Sequence, residues 1–243
     1  MTYHFEMFAK CILQFGSEEQ AQKWMPLVNS VKIIGCYAQT ELGHGSNVAG
    51  LETTATLDMN TDEFVIHTPS ITATKFWQGN MGVQATHAIV FARLLVAGND
   101  YGVQSFIVPL RDLDTHKPLP GIEIGDIGNK IGYQSIDNGY VSFNKVRVPR
   151  DYLMQRFLSV SPAGKIKPQG NPKMIYQVMV QTRISILTGA TFLYMRAAKY
   201  AIRYAACRRQ FANVQGSEQE RQLLDYQLHM DTLSRNLCNS ITF

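Results

Sequence analysis

The chain has 243 residues and a formal net charge of +4, and 17% of its residues are charged, below the roughly 25% of an average soluble domain. That deficit fits a protein that hides much of its surface in a core, a cofactor site or a subunit interface. Its basic residues form no runs suited to nucleic acid, and Cys11, Cys36, Cys207, Cys238 and the six histidines are too dispersed for a disulfide framework or a metal site.

In chain order, Phe5, Phe8, Ile12 and Phe15 recur at helical spacing, Gly16-Ser17 interrupts them, and residues 18–24 fit a second short helix. Residues 1–30 therefore read as the end of a helical region. The opening has no leader pattern and no apolar run has transmembrane length, so a reduced, soluble compartment is expected. From residue 31 to about 148 the texture is β. Residues 51–57 alternate, and 64–67 follow across the polar turn 58–62 as a hairpin. Further strands are expected at 71–76, 87–95, 104–108 and 140–148, with connections at 98–100 and in the Pro- and Gly-rich stretch 117–132. This density of short strands predicts a sandwich or barrel-like β domain over 31–157. Residues 158–172, with Pro162, Gly164, Pro168, Gly170 and Pro172, read as a linker.

Residues 173–208 contain no proline and one glycine, Gly189, and predict a helix about 54 Å long. Ile175, Met179, Thr182, Ile186, Gly189 and Leu193 form one stripe, and apolar residues also lie off it, as in a helix buried in a bundle. Residues 213–216 turn the chain. Ser217 with Glu220 has the capping-box spacing for a second helix, along which Leu223, Tyr226, Met230, Leu233 and Leu237 recur. That stripe still runs at Phe243, so 173–243 reads as the start of a bundle, cut rather than finished.

Three stretches carry chemistry. Residues 35–47 lead from a strand through Gln39, Thr40 and Glu41 into a turn with Gly43 and Gly45. The glycines are expected to supply φ > 0 and the successive amides an anion-binding concavity, although a lone Gly-x-Gly is more often an ordinary polar turn. Residues 75–82 set Trp77, one of two tryptophans, beside a second polar turn. Its flat face suits a planar ring, while by itself a core tryptophan is the simpler reading. Residues 207–211 end the long helical pattern with Arg208 and Arg209, whose forked donors match phosphate or simply complement a helix end. Neither Ser46 nor any cysteine has a base nearby in sequence, so cofactor chemistry is the natural enzymatic reading.

In this order the stretches resemble the acyl-CoA oxidase family, the peroxisomal branch of the acyl-CoA dehydrogenase superfamily. The likeness runs from about Phe8 to the last residue. It is carried by 36–46, 50–56, 76–79, 128–132, Phe143 with 146–149, the set Tyr176, Met179 and Arg183, and 208–211. The resemblance implies an α+β, acyl-CoA dehydrogenase-like fold: a central β-barrel or sandwich followed by the long helices of a C-terminal bundle. It implies FAD between the two, fatty acyl-CoA against the flavin, and O2 as the electron acceptor. The products are trans-2-enoyl-CoA and H2O2, in peroxisomal fatty acid β-oxidation.

By the same resemblance Gln39, Thr40, Gly45 and Ser46 match the segment against the isoalloxazine and pyrophosphate. Trp77 matches the residue packed on the ring, and Gly79 the backbone contact after it. Many dehydrogenase relatives carry a hydroxyl residue at the Gly79 position, so its bare backbone is expected to leave room for oxygen. Arg208 and Gln210 match residues that reach the FAD of the partner subunit in a homodimer. The family's glutamate base lies beyond the equivalent of Phe243, and Glu41 matches a binding-segment residue, so no catalytic residue is nominated. The peroxisomal C-terminal address of the family is not the tripeptide Ile241-Thr242-Phe243. The alternatives are an acyl-CoA dehydrogenase passing electrons to a flavoprotein, and a non-catalytic FAD-binding or dimerisation partner. No metal, nucleic acid or membrane span is expected.

Overall fold

Ser17, extended at φ −67° and ψ 168°, starts the second helix of the chain with a reciprocal cap. Its side chain accepts from Gln20 N, and the Gln20 side chain accepts from Ser17 N. Such a cap stabilises a helix by about 1 kcal/mol. Gln20 Nε2 also donates to the carbonyls of Asp151 and Leu153, both at 2.7 Å, so the cap fastens the helix to the β region. A computed structural model describes residues 3–169, 177–212 and 219–242, which divide into two units, Met1–Val178 and Met179–Phe243.

The first unit opens with a π-helical stretch, His4–Ala9, then α1 (Lys10–Phe15) and α2 (Glu18–Asn29). The strands of the two main sheets follow: β1 (Gly35–Ala38), β2 (Thr54–Asp58), β3 (Glu63–His67), β4 (Lys75–Gln78), β5 (His87–Val96), β6 (Asn99–Pro109), β7 (Ile122–Asp126), β8 (Gly139–Phe143) and β9 (Val146–Pro149). β5 is central to the larger sheet. One edge pairs antiparallel with β6 along its length, and the other pairs parallel with β1 (His87–Val90) and then β2 (Arg93–Leu95). β3 and β9 extend that sheet antiparallel, and β4, β8 and β7 form a second, three-stranded sheet.

β5 is buried on both faces, which is why its sequence is a nearly unbroken apolar run. Ala88, Val90, Ala92, Leu94 and Val96 join the core that also holds Val141, Phe143 and Ile122 from the smaller sheet. Ile89 and Phe91 point the other way, into a core with Phe8, Ile12, Phe15, Trp24 and Val28 of the helices. Gly35 lets the two layers meet, because a Cβ there would lie 2.0 Å from the Phe8 ring.

Several expected elements differ. Residues 71–76 do not form one strand: Ile71–Ala73 is a 3-10 turn, and the strand starts at Lys75. The strand expected over 140–148 is two, β8 and β9, because Lys145 adopts φ 54° and the chain crosses from one sheet to the other. β7 lies inside the stretch read as a connection, where alternating Ile122 and Ile124 were the available signal. Within the stretch read as a loop, β10 (Leu158–Val160) and β11 (Ile166–Pro168) make a hairpin. Gly170 and Pro172 lie outside the described residues.

The second unit holds α3 (Gln177–Cys207), the hairpin strands β12 (Arg209–Ala212) and β13 (Glu220–Gln222), and α4 (Gln227–Thr242). Tyr194 OH donates to Asn236 Oδ1 at 2.8 Å, joining the two helices. Residues 208–211 are therefore not a plain helix end: all but Arg208 lie in β12. Glu220 does not open a helix either, since it pairs with Ala212 in the hairpin and α4 starts seven residues later. Ser217, the turn 213–216, Ile175, Tyr176 and Phe243 lie outside the described residues, as do the side chains of Met179 and Thr182. Of the first stripe's described residues Ile186, Gly189 and Leu193 are exposed; of the second's, Met230 and Leu237 are exposed and Leu233 is buried. Among the described residues no helix is long and apolar enough to cross a membrane.

Candidate flavin platform

The first two chemical stretches lie side by side, cross-linked through their main chains. The Thr40 carbonyl accepts from Phe76 N at 3.0 Å and from Gln78 Nε2 at 2.7 Å. Lys75 has no exposure and donates to the carbonyls of Gln39 (3.1 Å) and Phe91 (2.5 Å) and to Glu41 Oε1 (3.0 Å). The Glu41 carboxylate is completed by Thr53 N at 3.0 Å, Thr53 Oγ1 at 2.6 Å and Glu52 N at 2.8 Å. Burial pulls the Lys75 ammonium down to about 8, against the opposing pull of Glu41. Lone buried charges are costly, and here each charge finds a partner and further hydrogen bonds.

This scaffold aims Trp77. The pairing of β4 with β8 is irregular between Phe76 and Gln78, and Trp77 sits in that bulge at φ 82°. A bulge re-aims the side chain it carries, and Trp77 is 57% exposed. The core reading of this tryptophan is thereby corrected. Its carbonyl accepts from Asn138 Nδ2 at 2.7 Å, which holds the left-handed conformation in place. A bulky residue in that region stores on the order of 1–3 kcal/mol of strain, a feature concentrated at functional sites. Beside it, the buried atoms Gln78 Oε1 and Asn80 Nδ2 make no hydrogen bond among the described residues. Neither residue stood out in the sequence, because their signal is burial rather than type.

The turn 41–47 is split in its use of amides. Those of Glu41, Leu42, Gly43 and His44 donate to His44, Thr74, Thr72 and Glu41 carbonyls, so they form no anion nest, contrary to expectation. Neither Gly43 nor Gly45 has a positive φ. Gly43 is needed for close approach, since a Cβ would meet Thr72 Cβ at 2.8 Å, whereas Gly45 faces open space. The amides of Gly45, Ser46 and Asn47 find no acceptor among the described residues, and these three residues are exposed. Gln39 is buried, its Oε1 taking the Tyr37 hydroxyl at 2.9 Å. Glu52 buttresses the turn, accepting from His44, Ser70 and Thr72 at 2.6–2.8 Å. Those hydrogen bonds, Ser70 foremost, hold its carboxyl down at about 2.

The third stretch belongs to the other unit. Arg208 and Gln210 are exposed, and the Arg208 guanidinium makes no hydrogen bond or ion pair with a described residue. Phe211 stands at φ 59° and is 72% exposed. Tyr226 OH donates to the Gln210 carbonyl at 2.7 Å, fixing the hairpin to the start of α4.

A two-sheet β domain preceded by short helices, bearing an exposed aromatic platform and followed by long helices, has the architecture of the acyl-CoA dehydrogenase class. Residues 36–146 match the acyl-CoA dehydrogenase middle domain, 1–34 the acyl-coenzyme A oxidase N-terminal domain, and 176–243 the acyl-CoA oxidase C-alpha1 domain. The chain belongs to the acyl-CoA oxidase family. It is 49% identical over 244 residues to peroxisomal acyl-coenzyme A oxidase 1 of Arabidopsis thaliana, covering 99% of this chain and 37% of that protein. To the rat peroxisomal acyl-coenzyme A oxidase 1 it is 42% identical over 241 residues, 99% of this chain and 36% of the rat protein. The structure of acyl-CoA oxidase-1 of Caenorhabditis elegans complexed with FAD and ATP matches with a TM-score of 0.92 at 42% identity, over 99% of this chain and 36% of that one. The chain thus spans little more than a third of the length of these relatives.

Proposed function

We propose that the protein containing this chain is an FAD-dependent acyl-CoA oxidase of peroxisomal fatty acid β-oxidation. It converts fatty acyl-CoA to trans-2-enoyl-CoA and passes the electrons to O2, giving H2O2. The observation that carries this reading is Trp77, an exposed tryptophan held at φ 82° in a bulge, in a chain whose relatives are named acyl-CoA oxidases. When bound, FAD supplies the two-electron acceptor for α,β-dehydrogenation.

The residues present fit that cofactor. Trp77 offers a flat face to the isoalloxazine, Gly79 a bare backbone, and Gln39 and Thr40 the wall beside it. Buried Gln78 Oε1 and Asn80 Nδ2 are an acceptor and a donor still to be satisfied near the ring. The free amides of Gly45 and Ser46 suit a pyrophosphate. Arg208 and Gln210 serve the FAD of a partner subunit in a homodimer, with the unpaired guanidinium placed on phosphate.

Glu41 does not take the substrate proton in this reading. Its carboxylate already accepts four hydrogen bonds and its side chain has no exposure, whereas a general base must reach the proton it removes. The base is proposed to lie outside residues 1–243. Purified full-length protein, supplied with FAD and acyl-CoAs of several lengths, is expected to release peroxide stoichiometric with enoyl-CoA in a coupled peroxidase assay. Enoyl-CoA formed only with an artificial electron acceptor would make it a dehydrogenase. Flavin retention without any turnover would make it a binding partner.

A further inference from the structure

Gly79 has no positive φ, so its backbone does not demand glycine. A neighbouring side chain does. A Cβ built on Gly79 lies 2.7 Å from Tyr3 Cε2, 2.8 Å from Cδ2 and 2.9 Å from Cζ, closer than any real Cβ contact. The space beside Gly79 is therefore taken by an aromatic ring, not left open as expected from the sequence.

The backbone next to that ring is anchored through the following residues. The next residue, His4, is fully buried, accepts from Gly35 N at its Nδ1 (3.0 Å) and donates from Nε2 to the Val28 carbonyl (3.1 Å). Phe8, one turn on, fills the space over Gly35. His4 is thus fixed to β1 and α2 through its two ring nitrogens. Partial burial, with Tyr133 as the lesser cause, raises the Tyr3 hydroxyl above its ordinary range.

We propose that Tyr3 is a positioning residue of the flavin site: its ring, fitted to the missing side chain of Gly79, fixes the Trp77–Gly79 backbone and narrows the approach to it. Tyr3 and Gly79 are a size-matched pair, in which glycine is required because tyrosine is present. On this account a side chain at 79 acts first by displacing Tyr3, and oxygen reaches the flavin along a path that Tyr3 borders. The proposal rests on reading Trp77 and Gly79 as flavin contacts, but the pairing itself does not.

A double-mutant cycle in the full-length protein separates the two. Gly79→Ala should lower the Tm of the flavin-free protein by roughly 3–6 °C through overpacking, and Tyr3→Ala in the same chain should restore most of that loss. Tyr3→Ala alone, in flavin-loaded protein, should change the rate of reoxidation by O2 by about tenfold and leave reduction by acyl-CoA within twofold, as read by stopped-flow absorbance. Tyr3→Phe keeps the ring and should restore wild-type reoxidation. Additive Tm losses in the cycle would overturn the pairing. A coupled cycle with both half-reactions changed equally by Tyr3→Ala would overturn the positioning role and leave the contact standing. If wild-type protein retains no flavin, the reading of the platform fails, while the Tm cycle still decides the pairing.

Discussion

Gln39, Thr40 and Glu41 in the first unit have their polar groups taken up by Lys75, Phe76, Gln78, Thr53 and Tyr37. In the second unit Gln210 lies on an exposed hairpin strand and Arg208 just before it, its guanidinium unpaired among the described residues. On the proposed reading, one group of side chains is set before any ligand arrives, and the other would gain its partner only on binding. Preorganised groups lower the entropy cost of binding but are inseparable from the fold. Free groups contribute to affinity and little to stability. Substitutions in the two units should therefore differ in kind as well as size.

Lys75→Ala should show the largest effect. It leaves the Glu41 carboxylate buried without its cation, and breaking a buried pair costs roughly 3–5 kcal/mol. Urea denaturation of flavin-free full-length protein should show that loss. A cost below 1 kcal/mol would mean that the pair does not organise the platform.

Arg208→Ala should do the reverse. Stability of the flavin-free protein should stay within about 0.5 kcal/mol, as for surface changes generally. FAD affinity should fall roughly tenfold to a hundredfold, from the loss of a charge-assisted hydrogen bond of about 1.5–3 kcal/mol. Flavin content after dialysis measures it. Undiminished flavin would remove Arg208 from the site.

The same contrast governs what was legible in the sequence. Helices at 1–30, the hairpin 51–67 and the long helix follow from spacing of apolar residues, a local signal. Trp77 was singled out by type, but its exposure depends on a bulge against β8, some sixty residues away, which no local pattern encodes. Lys75 reads as an ordinary strand lysine, because only the fold brings Glu41 to it. The φ > 0 expected of Gly43 and Gly45 was wrong because the glycines answer to neighbours or to open space rather than to turn type. The small strands β7, β10 and β11 sit among prolines and glycines that mask two- or three-residue alternations. The pairing of β12 with β13 interrupts helical spacing without a breaker at Arg208, since the partner strand starts only at Glu220.

The smallest effect should come from Glu52, at the margin of the locked region. Its carboxyl titrates near 2 in the folded protein against an ordinary 4.5, because Ser70, Thr72 and His44 donate to it. A depressed carboxylate pKa means that the unfolded chain binds the proton first. The stabilisation is therefore complete above about pH 4.5 and is lost as the pH falls through about 2. Because the group is partly exposed, solvent screening keeps its worth small. Glu52→Gln should be less stable than wild type at neutral pH, and the gap should close steadily between about pH 4.5 and 2. Parallel urea titrations of the two proteins across that range, at fixed ionic strength, provide the comparison. No gap at any pH would show that the turn 41–47 is held without the Glu52 side chain, by main-chain hydrogen bonds such as those from the Glu41, Leu42, Gly43 and His44 amides.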